Sequence, residues 1–391
     1  MSLEVVTLGC RLNLAESEQL RAMLPQDSDL VVINSCAVTA EAVRQTRQAI
    51  RRARREHPGA RLLVTGCAAE VERAALAAMP EVDGLIANAA KLDPRSWNVP
   101  PRTPALDRTR HSRAFIGVQN GCDHACTFCV IPQGRGSSRS LPVDQVLQQV
   151  DRFVQLGARE VVLTGVDLTS WGNDLPGSPP LGALVAAILR AFPGLERLRL
   201  SSVDGVEIDP LLFDLIAGEQ RLLPYLHLSL QHGNDLILKR MKRRHLRCDA
   251  LRLVADLRAR RPELAVGADL IAGFPTETAA AHAENLSIIT ELNIVHGHVF
   301  PYSRRPGTPA ALMPQIDGTT IKARAAELRS AVAVQRAKWL AGHLGTPLSV
   351  LAERDGTGHA PDFARVQLPP GTPAGTIVTV TPSRITEGLL A

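Results

Sequence analysis

Over the first 80 residues, short apolar runs alternate with longer stretches that are apolar on one face only. Residues 4–10, Glu-Val-Val-Thr-Leu-Gly-Cys, read as a buried strand that ends in a glycine turn. Residues 30–36 and 61–67 repeat the theme, and each again closes on a cysteine. Helical patterns fill residues 16–23, 40–55 and 70–79. Continuous apolar strands separated by helices predict a parallel sheet covered on both faces. The same alternation returns with apolar runs at 114–119, 160–164, 195–200, 226–230, 264–271 and 295–300. Six strands in βα order predict a parallel barrel, or part of one, with its chemistry at the carboxyl ends of the strands. Residues 318–344 read as one long helix. After it the period shortens, with strand candidates at 347–352, 364–368 and 376–380 and turns at Asp355-Gly356 and Pro370-Gly371, which predict a small antiparallel β module.

With 391 residues the chain is too long for one small core and has room for two or three domains. A stretch rich in proline and arginine, residues 94–113, reads as a linker. No apolar run is long enough to span a bilayer, and the N-terminus shows no export signal, so the expected location is the cytoplasm. The net charge of +5 permits a nucleic-acid partner without requiring one. Aromatic residues are only 3% of the chain, so an RNA partner would be held by charge and pocket shape rather than a broad stacking platform. The densest basic runs, residues 51–55 and 239–244, are the candidates for phosphate contact; most such runs are solvated helix faces.

Cysteines carry the strongest chemical signal. Cys122, Cys126 and Cys129 stand in a C-x3-C-x2-C loop that follows the first barrel strand. Three thiolates from one loop hold three irons of a cubane [4Fe–4S] cluster and leave the fourth open to a chelating ligand. The competing reading is a zinc site completed by His124. Disulfides are disfavoured in a chain that stays in a reducing compartment. Cys10, Cys36 and Cys67 are far apart in sequence. Because each closes a strand of one parallel sheet, they should converge on a single sheet edge, where a shared metal site outweighs three independent core thiols.

The two triads and their surroundings resemble the radical S-adenosylmethionine (SAM) methylthiotransferases. The matching residues are Thr7-Leu8-Gly9-Cys10-Arg11-Leu12-Asn13, Asn34-Ser35-Cys36 and Thr65-Gly66-Cys67 in the first region. In the centre they are Cys122, Cys126 and Cys129, then Ile131-Pro132 and Arg135-Gly136. Farther on come Leu230-Gln231 with Gly233, Asp269 through Gly273-Phe274-Pro275 with Glu277-Thr278, and Pro301-Tyr302-Ser303 with Arg305-Pro306-Gly307-Thr308. The resemblance implies an α/β protein in three parts. Residues 1–100 form an open parallel sheet domain with an auxiliary [4Fe–4S] cluster, 101–112 a linker, 113–340 a partial (β/α)6 TIM-type barrel, and 341–391 a β module of the TRAM type.

The resemblance also implies chemistry. Cys10, Cys36 and Cys67 hold the auxiliary cluster, and Cys122, Cys126 and Cys129 the cluster at which SAM is cleaved. Two SAM molecules are used per turnover. One methylates a sulfur at the auxiliary cluster, and the other yields a radical that takes hydrogen from C2 of an adenine. Contacts to SAM fall to Gly165, Asp167, Arg199, Ser201, Gln231, Asp269 and Gly273, and Arg139 is a further carboxylate-binding candidate. Arg11-Leu12 after the first cysteine, with Glu16-Ser17, is most similar to the branch acting on N6-threonylcarbamoyladenosine beside the tRNA anticodon. The branches acting on isopentenyladenosine in tRNA and on a ribosomal-protein aspartate are alternatives, and an iron–sulfur RNA-binding protein without radical chemistry is the non-enzymatic one. An external electron donor of the flavodoxin kind, a sulfur source and a monomeric state complete the expectations. Where the family more often has Glu-Pro, this chain has Ser201-Ser202-Val203-Asp204-Gly205, which puts a ligand role for Asp204 in doubt. His232 replaces a small residue, and Cys248 matches no cluster position and is expected to be packed.

Overall fold

A computed structural model describes residues 3–100 and 112–391. The expected linker, apart from residue 112, lies outside the described residues. Strands β1 (Glu4–Thr7), β2 (Leu30–Ser35), β3 (Arg61–Gly66) and β4 (Gly84–Leu85) form a parallel sheet in that order. Helices α1 (Arg11–Met23), α2 (Ala40–Glu56), α3 (Cys67–Val71) and α4 (Arg73–Ala77) connect them. The register pairs Thr7 with Asn34, Asn34 with Thr65, and Ser35 with Gly66, so the carboxyl ends of three strands lie abreast. Val31, Ile33, Leu62 and Val64 pack with α2 on one face, and Val5, Val32, Leu63 and Leu20 pack on the other. Burial on both faces is why these strands read as unbroken apolar runs.

Two helices differ from expectation. The first begins at Arg11, five residues earlier than its pattern suggested, because Asn13, Glu16 and Ser17 are buried although polar. The expected helix at 70–79 is two short helices that meet at Glu72, where φ −116° and ψ 28° leave the helical region.

Strands β5 (Ala114–Gly117) and β6 (Gln119–Asn120) lead to the cysteine loop, which continues into α5 (Ile131–Arg135) and β7 (Arg139–Ser140). The barrel strands that follow are β8 (Glu160–Thr164), β9 (Arg197–Leu200), β10 (Ser202–Val203), β11 (Tyr225–Gln231), β12 (Ala265–Ala272) and β13 (Ile294–Pro301). They form two parallel sheets, β5-β8-β9 and β10-β11-β12-β13, which part at Ser201. Residues at alternate positions, such as Val161, Leu163, Leu198, Leu200, Leu228, Val266 and Ala268, bury themselves against the surrounding helices. The intervening positions are markedly polar: Glu160, Arg197, Arg199, His227, Asp269 and His298.

One helix, Gly318–Ala341, replaces the expected 318–344, and a six-stranded, mostly antiparallel sheet follows it, made from β14 (Leu348–Ala352) to β19 (Leu389–Leu390). This module packs at the amino ends of the barrel strands. Arg197 donates to the Ser349 and His359 carbonyls at 2.8 and 3.2 Å, Arg199 donates to the Pro361 carbonyl at 3.1 Å, and Arg199 lies over the Phe363 ring. The end used for catalysis in such barrels is the opposite one.

The fold divides into two compact units. One gathers the described residues up to 100 with Gln119–Arg139 and Ser303–Ala311. The other contains the barrel strands and the C-terminal module. The cysteine loop, assigned by sequence to the barrel segment, therefore belongs to the same unit as the amino-terminal sheet.

Candidate functional site

Both cysteine triads fall in the first unit. Cys10 follows β1, Cys36 follows β2, and Cys67 opens α3 directly after β3. The turns that deliver them need glycine. Gly9 and Gly66 have φ +91° and +90°, a region that side chains rarely enter. A Cβ on Gly9 would lie 2.8 Å from Cys36 Sγ, and one on Gly66 would lie 2.4 Å from the Ser35 carbonyl oxygen. The three thiols are close enough to feel one another. Burial pushes the Cys36 thiol up to about 11, and repulsion from Cys10 and Cys67 adds to the rise. Burial raises Cys67 as well, while the nearby Arg135 guanidinium pulls it back.

The second triad is shaped by backbone hydrogen bonds. The Cys122 N–H donates to the Gly136 carbonyl at 3.1 Å, and the Cys129 N–H to the Cys126 carbonyl at 3.2 Å. Two sulfurs accept in turn: Cys122 Sγ from the His124 N–H and Cys129 Sγ from the Ile131 N–H, each at 3.4 Å. Amide donors aimed at sulfur stabilise thiolate and tune iron–sulfur clusters.

A buried polar network joins the segments that bear the two triads. Glu16 accepts from Lys91 Nζ at 2.5 Å and from both Arg135 Nη atoms at 2.8 and 3.1 Å. Arg135 also donates to Asn13 Oδ1 at 2.5 Å and Asn120 Oδ1 at 2.7 Å. Asn13 spends its own amide on the Leu8 and Ser35 carbonyls. On the far side of α5, Asn88 donates to the Gly134 carbonyl at 2.5 Å and lies 3.9 Å from Cys67 Sγ. Burial alone would raise the Glu16 carboxyl, but Lys91 and Arg135 hold it below its ordinary value. Sequence reading missed this network as a unit. Arg135 and Glu16 stood within quoted motifs, but nothing local tells which carboxylate meets which cation across 119 residues.

These surroundings fit an anionic iron–sulfur cluster. Neutral thiols gain nothing from a buried guanidinium, whereas metal-bound thiolates are deprotonated and do. Two basic groups converge on one carboxylate beside the amino-terminal trio, which leaves a basic group to face that charge.

In the second unit, four of the residues expected to contact SAM, Gly165, Asp167, Ser201 and Gln231, lie at or just past the carboxyl ends of strands, and Asp269 lies within β12. Gly165 and Asp167 are half-buried just after β8, and Asp167 accepts from the Ser170 hydroxyl at 2.6 Å. Ser201 sits at the break between the two barrel sheets with its buried hydroxyl unpartnered. Gln231 ends β11 with φ +69°, a strained conformation for a non-glycine residue and frequent at ligand sites. Asp269 is shared by two imidazoles, His227 Nε2 and His298 Nδ1, each 3.1 Å from Oδ1. Burial would raise the Asp269 carboxyl, yet these neighbours hold it well below the usual carboxylate range.

The remaining residues singled out from the sequence have surroundings of their own. Arg199 does not end at a ligand site: it is fully buried, donates to Glu160 at 2.9 Å and is committed to the C-terminal module. Gly273 has φ +72°, and a Cβ there would meet Ile321 at 2.6 Å, so helix packing accounts for it. Arg139 is exposed and donates to the Ser137 and Arg135 carbonyls. Asp204 is buried against Arg243 at 2.8 Å. His232 is buried with Nδ1 accepting from the Asn234 N–H. Cys248 is exposed on the helix Arg247–Arg260, not packed.

The sequence matches two family models. The Radical SAM superfamily covers residues 116–286, and the uncharacterized protein family UPF0004 covers residues 2–87. A threonylcarbamoyladenosine tRNA methylthiotransferase MtaB of Rickettsia prowazekii is 42% identical over 99% of this chain and 96% of its own length. The chain belongs to the radical SAM methylthiotransferase family. The MtaB of Chlamydia pneumoniae is 35% identical over 98% of the chain and 96% of its own length, and a tRNA-2-methylthio-N(6)-dimethylallyladenosine synthase of Erythrobacter litoralis is 33% identical over 90% and 86%. Among solved structures, the radical SAM methyltransferase TsrM of Kitasatospora setae, with cobalamin and a [4Fe-4S] cluster bound, superposes with a TM-score of 0.54 at 17% identity, covering 76% of this chain and 68% of that one; the likeness is one of fold. As a member of its family the protein is a transferase that works with [4Fe–4S] clusters and SAM, and no described helix is long and apolar enough to cross a membrane.

Proposed function

We propose that this enzyme adds a methylthio group to C2 of N6-threonylcarbamoyladenosine at position 37 of tRNA, using two SAM molecules per turnover. The observation that carries the reading is 42% identity, over almost the full length of both chains, to a relative named for that substrate. Two cysteine triads on one unit are what a sulfur-inserting radical enzyme requires.

Cys122, Cys126 and Cys129 hold the cluster that binds SAM, and Cys10, Cys36 and Cys67 hold the auxiliary one. When bound, a cluster with an iron free of protein ligands would supply the electron that breaks a carbon–sulfur bond of SAM, and the radical released would attack the unactivated C–H bond, which no side chain can do. The protein supplies position. Gly165, Asp167, Ser201 and Gln231 line the carboxyl ends of the barrel strands and form the SAM contacts. The Ser201 hydroxyl is left to pair with a ligand, and the strained Gln231 turns its side chain at the strand end. The anticodon-loop adenine has to leave its stack to reach the chemistry. In this reading residues 1–100 serve as the auxiliary-cluster domain, 113–340 as the catalytic barrel and 341–391 as a TRAM-type module. The protein acts in the cytoplasm as a monomer with a flavodoxin-like reductant.

A second reading has support in the 33% identity to a dimethylallyladenosine-modifying relative. Mass spectrometry of tRNA nucleosides from a deletion strain separates the two. Loss of methylthio-threonylcarbamoyladenosine supports the first substrate, and loss of the methylthio-isopentenyl nucleoside supports the second. If both persist, tRNA is not the substrate.

A further inference from the structure

We infer that Arg135 is a positioning residue for both cysteine triads and sets the reduction potential of the cluster held by Cys10, Cys36 and Cys67, with Glu16 as its opposing charge. The inference rests on the cluster assignment above, but not on which nucleoside is modified.

The geometry is specific. Arg135 is the last residue of α5, six positions after Cys129, so its backbone is fixed by the second triad's loop. Its side chain points the other way and ends on α1, where Asn13 and Glu16 lie three and six residues beyond Cys10. The fork is used fully: Nη1 reaches Glu16 and Asn120, and Nη2 reaches Asn13 and Glu16. Asn120, just ahead of the cysteine loop, returns a bond to Glu16 at 3.3 Å. One guanidinium thus ties the segments before and after the second triad to the helix that follows the first. Gly134, its neighbour, abuts Cys67: a Cβ there would lie 3.1 Å from Cys67 Cβ.

The electrostatics follow. Arg135 and Glu16 expose 2% and 4% of their side chains, so water screens neither charge. Arginine stays charged at any relevant pH, and the contact of its neighbour Gly134 with Cys67 keeps that charge next to the amino-terminal trio. Reduction adds negative charge to a cluster. A fixed cation nearby favours that step and raises the potential, while a fixed anion lowers it.

Opposite signs make the test decisive. Wild type, Arg135→Gln, Arg135→Lys and Glu16→Gln are purified anaerobically as full chains with both clusters, and iron and sulfide are quantified. Each cluster is then followed by EPR during a redox titration. Arg135→Gln should move the potential of the amino-terminal cluster negative and Glu16→Gln should move it positive. Arg135→Lys keeps the charge and should keep the potential near wild type, while losing the two-pronged grip and with it part of the thermal stability. A purely structural role would loosen both variants alike, so shifts of the same sign, or none at full iron content, overturn the inference. Should Arg135→Gln lose iron, the Glu16→Gln and Arg135→Lys titrations decide by the same criterion. Absence of a second cluster from wild type would instead sink the cluster assignment.

Discussion

Gly66 concentrates the residue-scale problem of the amino-terminal site. It carries φ +90°, and its missing Cβ leaves room for the Ser35 backbone beside it, so the strand can stop and present Cys67 within one residue. Gly66→Ala should cost at least about 1–3 kcal/mol, the range for a forced backbone conformation, and should displace Cys67. Thermal melting and iron content measured together will show a lower midpoint and iron loss confined to one cluster. The triple variant Cys10→Ala, Cys36→Ala and Cys67→Ala should fold and keep roughly half the wild-type iron, the share of one of two similar clusters; unchanged iron would mean that this trio binds none. Residue by residue, the cysteines were legible in the sequence because spacing and strand-end position both point to metal. Glu16, Lys91 and Arg135 were not, because a lone charged residue gives no hint of whether it will face water or a partner brought in from elsewhere.

Buried charge organises the strands and the C-terminal module as elements. Glu160, the first residue of β8, lies wholly inside the barrel with Arg199 at 2.9 Å and Arg197 at 3.7 Å. Burial alone would raise its carboxyl, but the arginines hold it below its ordinary 4.5. A carboxyl depressed in the folded state contributes stability that is present above its unfolded pKa and lost as pH falls through the folded one. Glu160→Gln leaves two arginines without their counter-charge and should destabilise by about 3–5 kcal/mol at neutral pH, and acid denaturation should show the gap to wild type closing below pH 4.5. His296 gives a second handle. Packed among Tyr225, Trp339 and Phe363, it is pushed by burial from 6.5 down to about 3. The unfolded chain therefore binds a proton that the folded chain refuses, and stability falls as pH drops from 6.5 toward 3. Denaturant midpoints of His296→Phe should depend less on pH across that window. Six of the seven barrel strands were readable as apolar runs, the exception being the two-residue β10, whereas their polar inward positions read only as interruptions, because period-2 alternation does not say what an inner polar residue meets.

At the scale of the whole molecule, a net charge of only +5 makes the placement of each basic side chain decisive for holding tRNA. Much of the basic run at 51–55 is engaged internally: Arg51 pairs with Glu81, Arg52 with Glu56 and Arg54 with Asp83. In the other run Arg243 and Arg244 pair with Asp204 and Glu207. Lys239 and Lys242 are exposed and remain the better candidates for phosphate binding. Affinity for tRNA should fall steeply with salt, and Lys239→Ala with Lys242→Ala should reduce the slope of log affinity against log salt by about two, one for each phosphate no longer neutralised. A slope unchanged by the double substitution would move the RNA surface elsewhere.

The amino-acid sequence alone determined the fold class, the two sets of three thiols and the family, because these depend on local period and on spacing within short segments. Only the tertiary structure decided that the cysteine loop joins the unit of the amino-terminal sheet, that Arg199 is a strut and not a ligand contact, and that Glu16 and Arg135 meet. Those outcomes depend on which distant segments share an interior. There, desolvation makes every charge find a partner, and the chain's linear order does not encode that choice.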